Sequence, residues 1–248
     1  MEFKNKKVIV TGGAQGIGKE VVRGIVDGGG FAIIADINKE RAMQTVEEFS
    51  PNAEFEYIDL GDKDSIVSSM NNIIERNGKI DALVNCGGVI SAVQFKDLTF
   101  EEWERTIRIN LTGCFNTISS IYNHFIENGG GRIVNVSSVA GKIGGGLLGT
   151  AAYASSKAGL NGLTKAVAKE GGKYGISCNA VCPSFTNTEM TKQLSEDKEK
   201  SDKVISMIPL GRRAEPSEIA QMILFFASDL ASFVNGEIGD CDGGIVLD

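Results

Sequence analysis

Residues 7–18, Lys-Val-Ile-Val-Thr-Gly-Gly-Ala-Gln-Gly-Ile-Gly (KVIVTGGAQGIG), pass from a β-branched run into a glycine-rich turn and then into a helical pattern. Glycines at a strand-to-helix turn remove Cβ atoms where a pyrophosphate must approach the backbone. The following helix offers unpaired N–H groups and the positive end of its dipole. Gly12, Gly16 and Gly18 follow a G-x-x-x-G-x-G spacing, not the G-x-G-x-x-G of the usual dinucleotide fingerprint. A ligand-free tight turn would also look like this, so the loop needs support from the rest of the chain.

Outward from this turn, short apolar runs recur: FAIIAD, FEYID, ALVNCGG, RIVNVSS and SCNAVCP, separated by roughly 15 to 30 residues of 3.6-period sequence. Near-continuous β-branched runs describe strands buried on both faces of a parallel sheet. Helices are expected over 17–26, 39–49, 64–77, 100–125, 152–174 and 216–227, giving a doubly wound α/β fold of Rossmann type, a three-layer α/β/α sandwich. No repeat, low-complexity tract or Pro/Ser-rich linker divides the chain, so residues 1–248 read as one domain. The polar segment 186–207 reads as a lid or a small helical excursion.

Composition narrows the function classes. The 42% apolar and 23% charged content with 31 glycines describes a globular protein, and a net charge of -7 argues against a phosphate-backbone binder. Five scattered cysteines (Cys86, Cys114, Cys178, Cys182, Cys241) fit reduced core thiols, and Cys178-x-x-x-Cys182 has the wrong spacing for zinc or a redox pair. The amino terminus shows neither a signal peptide nor a membrane anchor, so the expected location is cytoplasmic. A single histidine, His124 on an amphipathic run, can neither complete a metal site nor favour a Ser-His-Asp hydrolase.

Polar residues fall where open α/β sheets bind ligands, at the carboxyl ends of strands. Asp36 ends the second run; a carboxylate there accepts hydrogen bonds from a ribose 2′-OH and repels a 2′-phosphate, favouring NAD over NADP, although Asp36-Ile-Asn-Lys could equally start the next helix. Asp59 closes the third run, and Asn85-Cys-Gly-Gly88 the fourth. Later in the chain, Tyr153-Ala-Ser-Ser-Lys157 places a phenol and an ammonium four residues apart, hence on one helical face. A phenol titrates near 10, and a cation within about 4–6 Å favours its phenolate.

Together TGGAQGIG, NCGG, Asn110 in IRINLTG, Ser138 in NVSS and YASSK resemble the short-chain dehydrogenase/reductase superfamily in its single-domain form, over essentially the whole chain to Asp242-Gly-Gly244. The resemblance implies an oxidoreductase that moves a hydride between a nicotinamide cofactor and a secondary alcohol or ketone. Tyr153 would be the acid or base, Ser138 would orient the substrate oxygen, Lys157 would hold the nicotinamide ribose, and Asn110 would support a water relay to Lys157. Gly12, Gln15, Gly16, Ile17 and Gly18 would cradle the pyrophosphate; Asp36 and Ile37 would meet the adenosine ribose. Asp59 and Leu60 would meet the adenine, Asn85 and Gly87 the adenosine-side ribose or adjoining backbone. Pro183, Thr186 and Thr188 would border the nicotinamide, with Thr188 on its carboxamide.

Three departures from the family pattern stand out. The loop between Ser138 and Tyr153 is long and glycine-rich, Ser184 replaces the glycine that commonly follows the proline, and Cys86-Gly87 replaces the usual Asn-Ala. Substrate is expected against 89–94, 144–148 and 184–194, which bring Val89, Ile90, Leu147, Leu148 and Phe185 with few charges, suiting an apolar or hydroxylated alcohol or ketone. An acyl-carrier-protein ketoester reductase is the alternative within the family; it usually takes NADPH, which Asp36 opposes. From other classes, a non-catalytic NAD-sensing module typically lacks the Tyr/Lys pair, and a methyltransferase gives no reason for YASSK. The family also implies a homotetramer, or a homodimer, with the 100–125 and 152–174 helices pairing across one interface and the carboxyl terminus across another.

Overall fold

Strands form where β-branched residues alternate between two apolar surfaces. In the computed structural model, which describes residues 1–146 and 149–247, β1 (Lys7–Thr11) sends Val8 and Val10 to one face of the sheet and Ile9 to the other. Each of these side chains is fully buried, a contribution of about 1.5–3 kcal/mol apiece. Around β1 lie β2 (Phe31–Asp36), β3 (Ala53–Tyr57), β4 (Ala82–Asn85), β5 (Gly131–Val136), β6 (Ile176–Pro183) and β7 (Ile238–Cys241). All pair in parallel, in the order β3-β2-β1-β4-β5-β6-β7.

One face packs on α1 (Gly16–Asp27), α2 (Lys39–Phe49) and α10 (Pro216–Ala227), through Val21, Val22, Ala42, Phe49, Ile219 and Ile223. The other packs on α3 (Lys63–Asn77), α5 (Gly113–Glu127) and α7 (Ala151–Gly171), through Ile66, Met70, Ile118, Phe125 and Ala168. The doubly wound three-layer sandwich is therefore present. Its strand order reverses between β1 and β4, which opens a crevice at their carboxyl ends.

The structure corrects several boundaries. A seventh strand, β7, had no expectation attached to it. The third strand ends at Tyr57, two residues before Asp59. The helix expected over 100–125 is divided into α4 (Phe100–Ile107) and α5 by a π-helical turn at Arg108–Thr112. Segment 186–207 is helical, with a 3₁₀ turn at Glu189–Thr191, α8 (Lys192–Glu196) and α9 (Lys198–Ile205). A further short helix, α6 (Ala140–Ile143), follows β5. No helix among the described residues is long and apolar enough to cross a membrane.

His124, in the last turn of α5, serves the scaffold, where its Nε2 accepts the Ile80 N–H at 3.1 Å. Burial, with Lys79 nearby, lowers its pKa against the opposing pull of Glu127. Since the lowered folded value lies beneath the unfolded value of about 6.5, the unfolded chain binds the proton more readily, so stability is present above pH 6.5 and falls below it. Urea unfolding at pH 7.5 and pH 5.5 should show this loss, and His124→Asn should flatten it.

Candidate active site

The glycine turn after β1 is shaped by close backbone approach. Gly12 has φ +66°, and a Cβ there would lie 2.7 Å from Gly87 Cα; on Gly18 it would lie 2.1 Å from Gly12 O. Thr11 Oγ1 accepts the N–H groups of both Cys86 and Gly87 at 3.2 Å, locking the ends of β1 and β4 together. The N-cap of α1, Gln15, makes no side-chain cap bond, and no acidic residue occupies the first turn. The bare backbone and the free N–H groups at a positive dipole end together fit a diphosphate.

A cavity of about 540 Å³ runs from this turn across the carboxyl ends of the strands, and Gly12, Gln15, Gly16, Ile17 and Gly18 all line it. Asp36 lines it too, 9% exposed. Its Oδ2 accepts Ala14 N–H at 3.1 Å and its Oδ1 accepts Asn38 N–H at 2.9 Å. Helix α2 is capped by Asn38, whose side chain accepts Arg41 N–H, so Asp36 is not the cap. Ile37, Asp59, Leu60 and Gly87 border the same end. Asp59 Oδ1 accepts Gly61 N–H at 2.8 Å, which fixes that turn.

Two expected residues stand elsewhere. Asn85 is buried behind the wall, where Nδ2 donates to Asn135 Oδ1 at 2.9 Å and Oδ1 accepts from Thr117 Oγ1 at 2.8 Å. Its side chain is thus engaged in the core, and the neighbouring Cys86, Gly87 and Gly88 line the cavity instead. Asn110 is fully buried in the π-helical turn and clamps Val89, accepting its N–H and donating to its carbonyl, each at 2.8 Å. A third bond runs from Nδ2 to Ser156 Oγ at 3.1 Å. A Cβ on Gly88 would lie 3.0 Å from Asn110 Oδ1 and 3.7 Å from Lys157 Nζ, so the two groups approach each other across a bare glycine.

At the other end, the segment after β5 and the first turns of α7 bring Ser138, Tyr153 and Lys157 into the lining of the same cavity. Ser138 Oγ accepts Ala140 N–H at 3.1 Å, the first turn of α6, and that bond leaves its own proton free to be donated. Lys157 is 5% exposed; Nζ donates to Val136 O at 2.8 Å and stands 5.7 Å from the Tyr153 ring centre. An ammonium has three donors, so two remain for a ligand. The Tyr153 ring packs closely against Gly149, where a Cβ would meet Cδ1 at 2.3 Å.

Pro183, Thr186 and Thr188 border the same region, and Thr188 caps the 3₁₀ turn through a reciprocal bond with Thr191. Phe185 lines the cavity while 1% exposed; Leu147 and Leu148 lie outside the described residues. Cys86 is not a nucleophile here, because burial pushes its thiol up to about 12 against the opposing effect of Lys157. Not anticipated from sequence are Ile143, Val204, Met207, Ile245 and Arg105 in the lining. The apolar spacing within 186–207 could have suggested Val204 and Met207.

The chain is similar to known proteins over almost its whole length. The family model described as enoyl-(acyl carrier protein) reductase matches residues 12–246. The chain is 38% identical to a 3-oxoacyl-(acyl-carrier-protein) reductase of Thermotoga maritima over 100% of both chains, and 37% identical to a 3alpha-hydroxysteroid dehydrogenase of Mediterraneibacter gnavus over 98% of both. A solved structure from Beutenbergia cavernae, described as an NAD(P)-dependent gluconate 5-dehydrogenase with NADP at low occupancy, superposes with a TM-score of 0.92 at 29% identity, covering 98% of each chain. With the glycine turn, the Ser-Tyr-Lys set and end-to-end similarity all in one chain, this protein belongs to the short-chain dehydrogenase/reductase superfamily of nicotinamide-dependent oxidoreductases.

Proposed function

We propose that the protein interconverts a secondary alcohol and its ketone, with NAD as the favoured dinucleotide and Tyr153 as the acid/base. The observation that carries this reading is the presence of Tyr153, a free Ser138 hydroxyl proton and the buried Lys157 ammonium in one cavity, with Lys157 5.7 Å from the Tyr153 ring centre. The glycine turn would hold the diphosphate, Asp36 the adenosine ribose, Lys157 the nicotinamide ribose, and Thr188 the carboxamide. The reduced nicotinamide supplies the hydride, which no side chain carries.

The remaining work belongs to the chain. As the carbonyl carbon is reduced, negative charge grows on oxygen, and donors fixed at that oxygen stabilise the transition state more than the ground state. Ser138 Oγ–H orients the oxygen and Tyr153 delivers the proton to it; in oxidation the phenolate takes that proton back. Lys157 Nζ, 5.7 Å from the centre of the Tyr153 ring, keeps a positive charge beside the reacting oxygen. Asn110 fixes Val89 beside the substrate, and the gap across Gly88 is where a water relay from Lys157 would begin.

Similarity to the Thermotoga reductase favours a second reading, a 3-oxoacyl thioester reductase using NADPH. The two separate in one experiment. Absorbance of the reduced cofactor is followed with NADH or NADPH against neutral ketones, hydroxysteroid ketones and a β-ketoacyl thioester. Turnover of neutral ketones with NADH is expected; exclusive turnover of the thioester with NADPH would replace the first reading by the second, and no turnover at all would leave a binding module. We further place the chain in the cytoplasm as one domain acting within a homotetramer. The exposed Phe100 on α4 and Phe115 on α5 support pairing through these helices.

A further inference from the structure

A turn after β7 contributes Ile245 to the wall of the cavity. Beyond β7, Asp242 is 6% exposed, with Oδ1 accepting Gly244 N–H and Oδ2 accepting Val246 N–H, both at 2.7 Å. Gly243 and Gly244 have φ of +74° and +95°, which lets the backbone curl around that carboxylate. The curl turns Ile245 against Phe185, Val204 and Ile208 and makes it part of the cavity wall.

Two bonds hold the curl in place. Leu210 N–H donates to Gly243 O at 3.1 Å, and Ser184 Oγ donates to Asp242 O at 2.8 Å. Ser184 itself borders the cavity, and its carbonyl accepts from Thr186 Oγ1 at 3.1 Å. The loop beside the reacting end is therefore tied directly to the tail that carries Ile245. A glycine at 184 could not make this bond, having no hydroxyl.

We propose that Ile245 determines how long an apolar ketone the site accepts, and that Ser184 is the positioning residue that keeps Ile245 in the wall. This rests on the reading of the cavity as the site of ketone reduction. Ile245 packs with Phe185 and Val204 where all three line the cavity, so the substrate arm that meets them is a hydrocarbon chain. Each methylene added against such a wall gains about fourfold in affinity until it collides with Ile245.

A series of 2-alkanones of increasing length reads this out. Ile245→Ala should move the chain length with the highest kcat/KM upward, raising the ratio of long to short ketone about tenfold, and Ile245→Trp should move it downward. Ser184→Ala should raise KM for the best ketone about fivefold, the scale of one net hydrogen bond. Its kcat and its Kd for NADH should stay within twofold, and Ser184→Thr should restore KM. Calorimetric binding of the same ketones to protein loaded with oxidised NAD, where no reduction can follow, should give the same length order. A length profile identical in wild type and all Ile245 variants, by both measurements, overturns the proposal. Binding that depends on Ile245 without any turnover would instead uphold it while removing the catalytic reading.

Discussion

Replacing Tyr153 by phenylalanine is expected to lower kcat by about 10³-fold, within the range of 10²–10⁴ that a positioned general acid contributes. The Tyr153 phenol has no hydrogen-bond partner among the described residues, and its ring rests on Gly149, a contact that phenylalanine reproduces. The variant should therefore fold as well as the wild type and bind NADH with a Kd within twofold, because Lys157 and the glycine turn are untouched. Rapid-mixing assays with saturating ketone and fluorescence titration with NADH check both halves. Two companion variants locate the effect. Ser138→Ala removes one donor to the developing oxyanion, a loss of about 10²-fold, and also removes the acceptor for Ala140 N–H, so its melting temperature should fall as well. Lys157→Met should weaken both kcat and NADH affinity. If Tyr153→Phe retains wild-type turnover, proton transfer runs through another group and the proposed mechanism is wrong.

Which parts of this site could be read beforehand follows from how local their physics is. The turn at Gly12–Gly18 and the Tyr153–Lys157 pair depend on neighbours within one strand-turn-helix unit or one helical turn, and Gly12, Gln15 to Gly18, Tyr153 and Lys157 all line the cavity. Asn85 resembled a ligand contact because it ends a strand, yet the direction of its side chain is decided by Asn135 on β5 and Thr117 on α5, partners remote in sequence. The amphipathic run 100–125 carries no local sign of its break. The π-helical turn, a feature frequent at functional sites, exists where Asn110 is drawn onto the backbone of Val89. β7 spans four residues, too few for alternation to stand out, and Ile245 becomes a wall residue only through the Asp242 turn.

Asp36→Asn is expected to shift the ratio of kcat/KM for NADPH over NADH upward by about 10³-fold. A carboxylate about 4 Å from a 2′-phosphate costs on the order of 4 kcal/mol per unit charge at an effective dielectric of 20, and its hydrogen bond to a 2′-OH contributes about 1.5–3 kcal/mol. Losing the charge removes the first penalty and weakens the second bond, and both changes favour NADPH. The Arg41 guanidinium, which bonds Gln15 at this end of the cavity, then adds an attraction for the phosphate. Asparagine at 36 retains a carbonyl oxygen for one of the two N–H groups that Asp36 satisfies. Alanine retains neither, and leaves the buried Ala14 N–H unpaired at a cost of about 1–3 kcal/mol. Asp36→Ala should therefore show the same change of preference together with weaker binding of both dinucleotides and a lower melting temperature. Initial rates across both cofactors, alongside thermal unfolding, distinguish the electrostatic from the scaffolding part. A wild type that already prefers NADPH, or an Asp36→Asn variant with an unchanged ratio, would mean that this carboxylate serves the turn alone and that cofactor choice is made elsewhere on the rim.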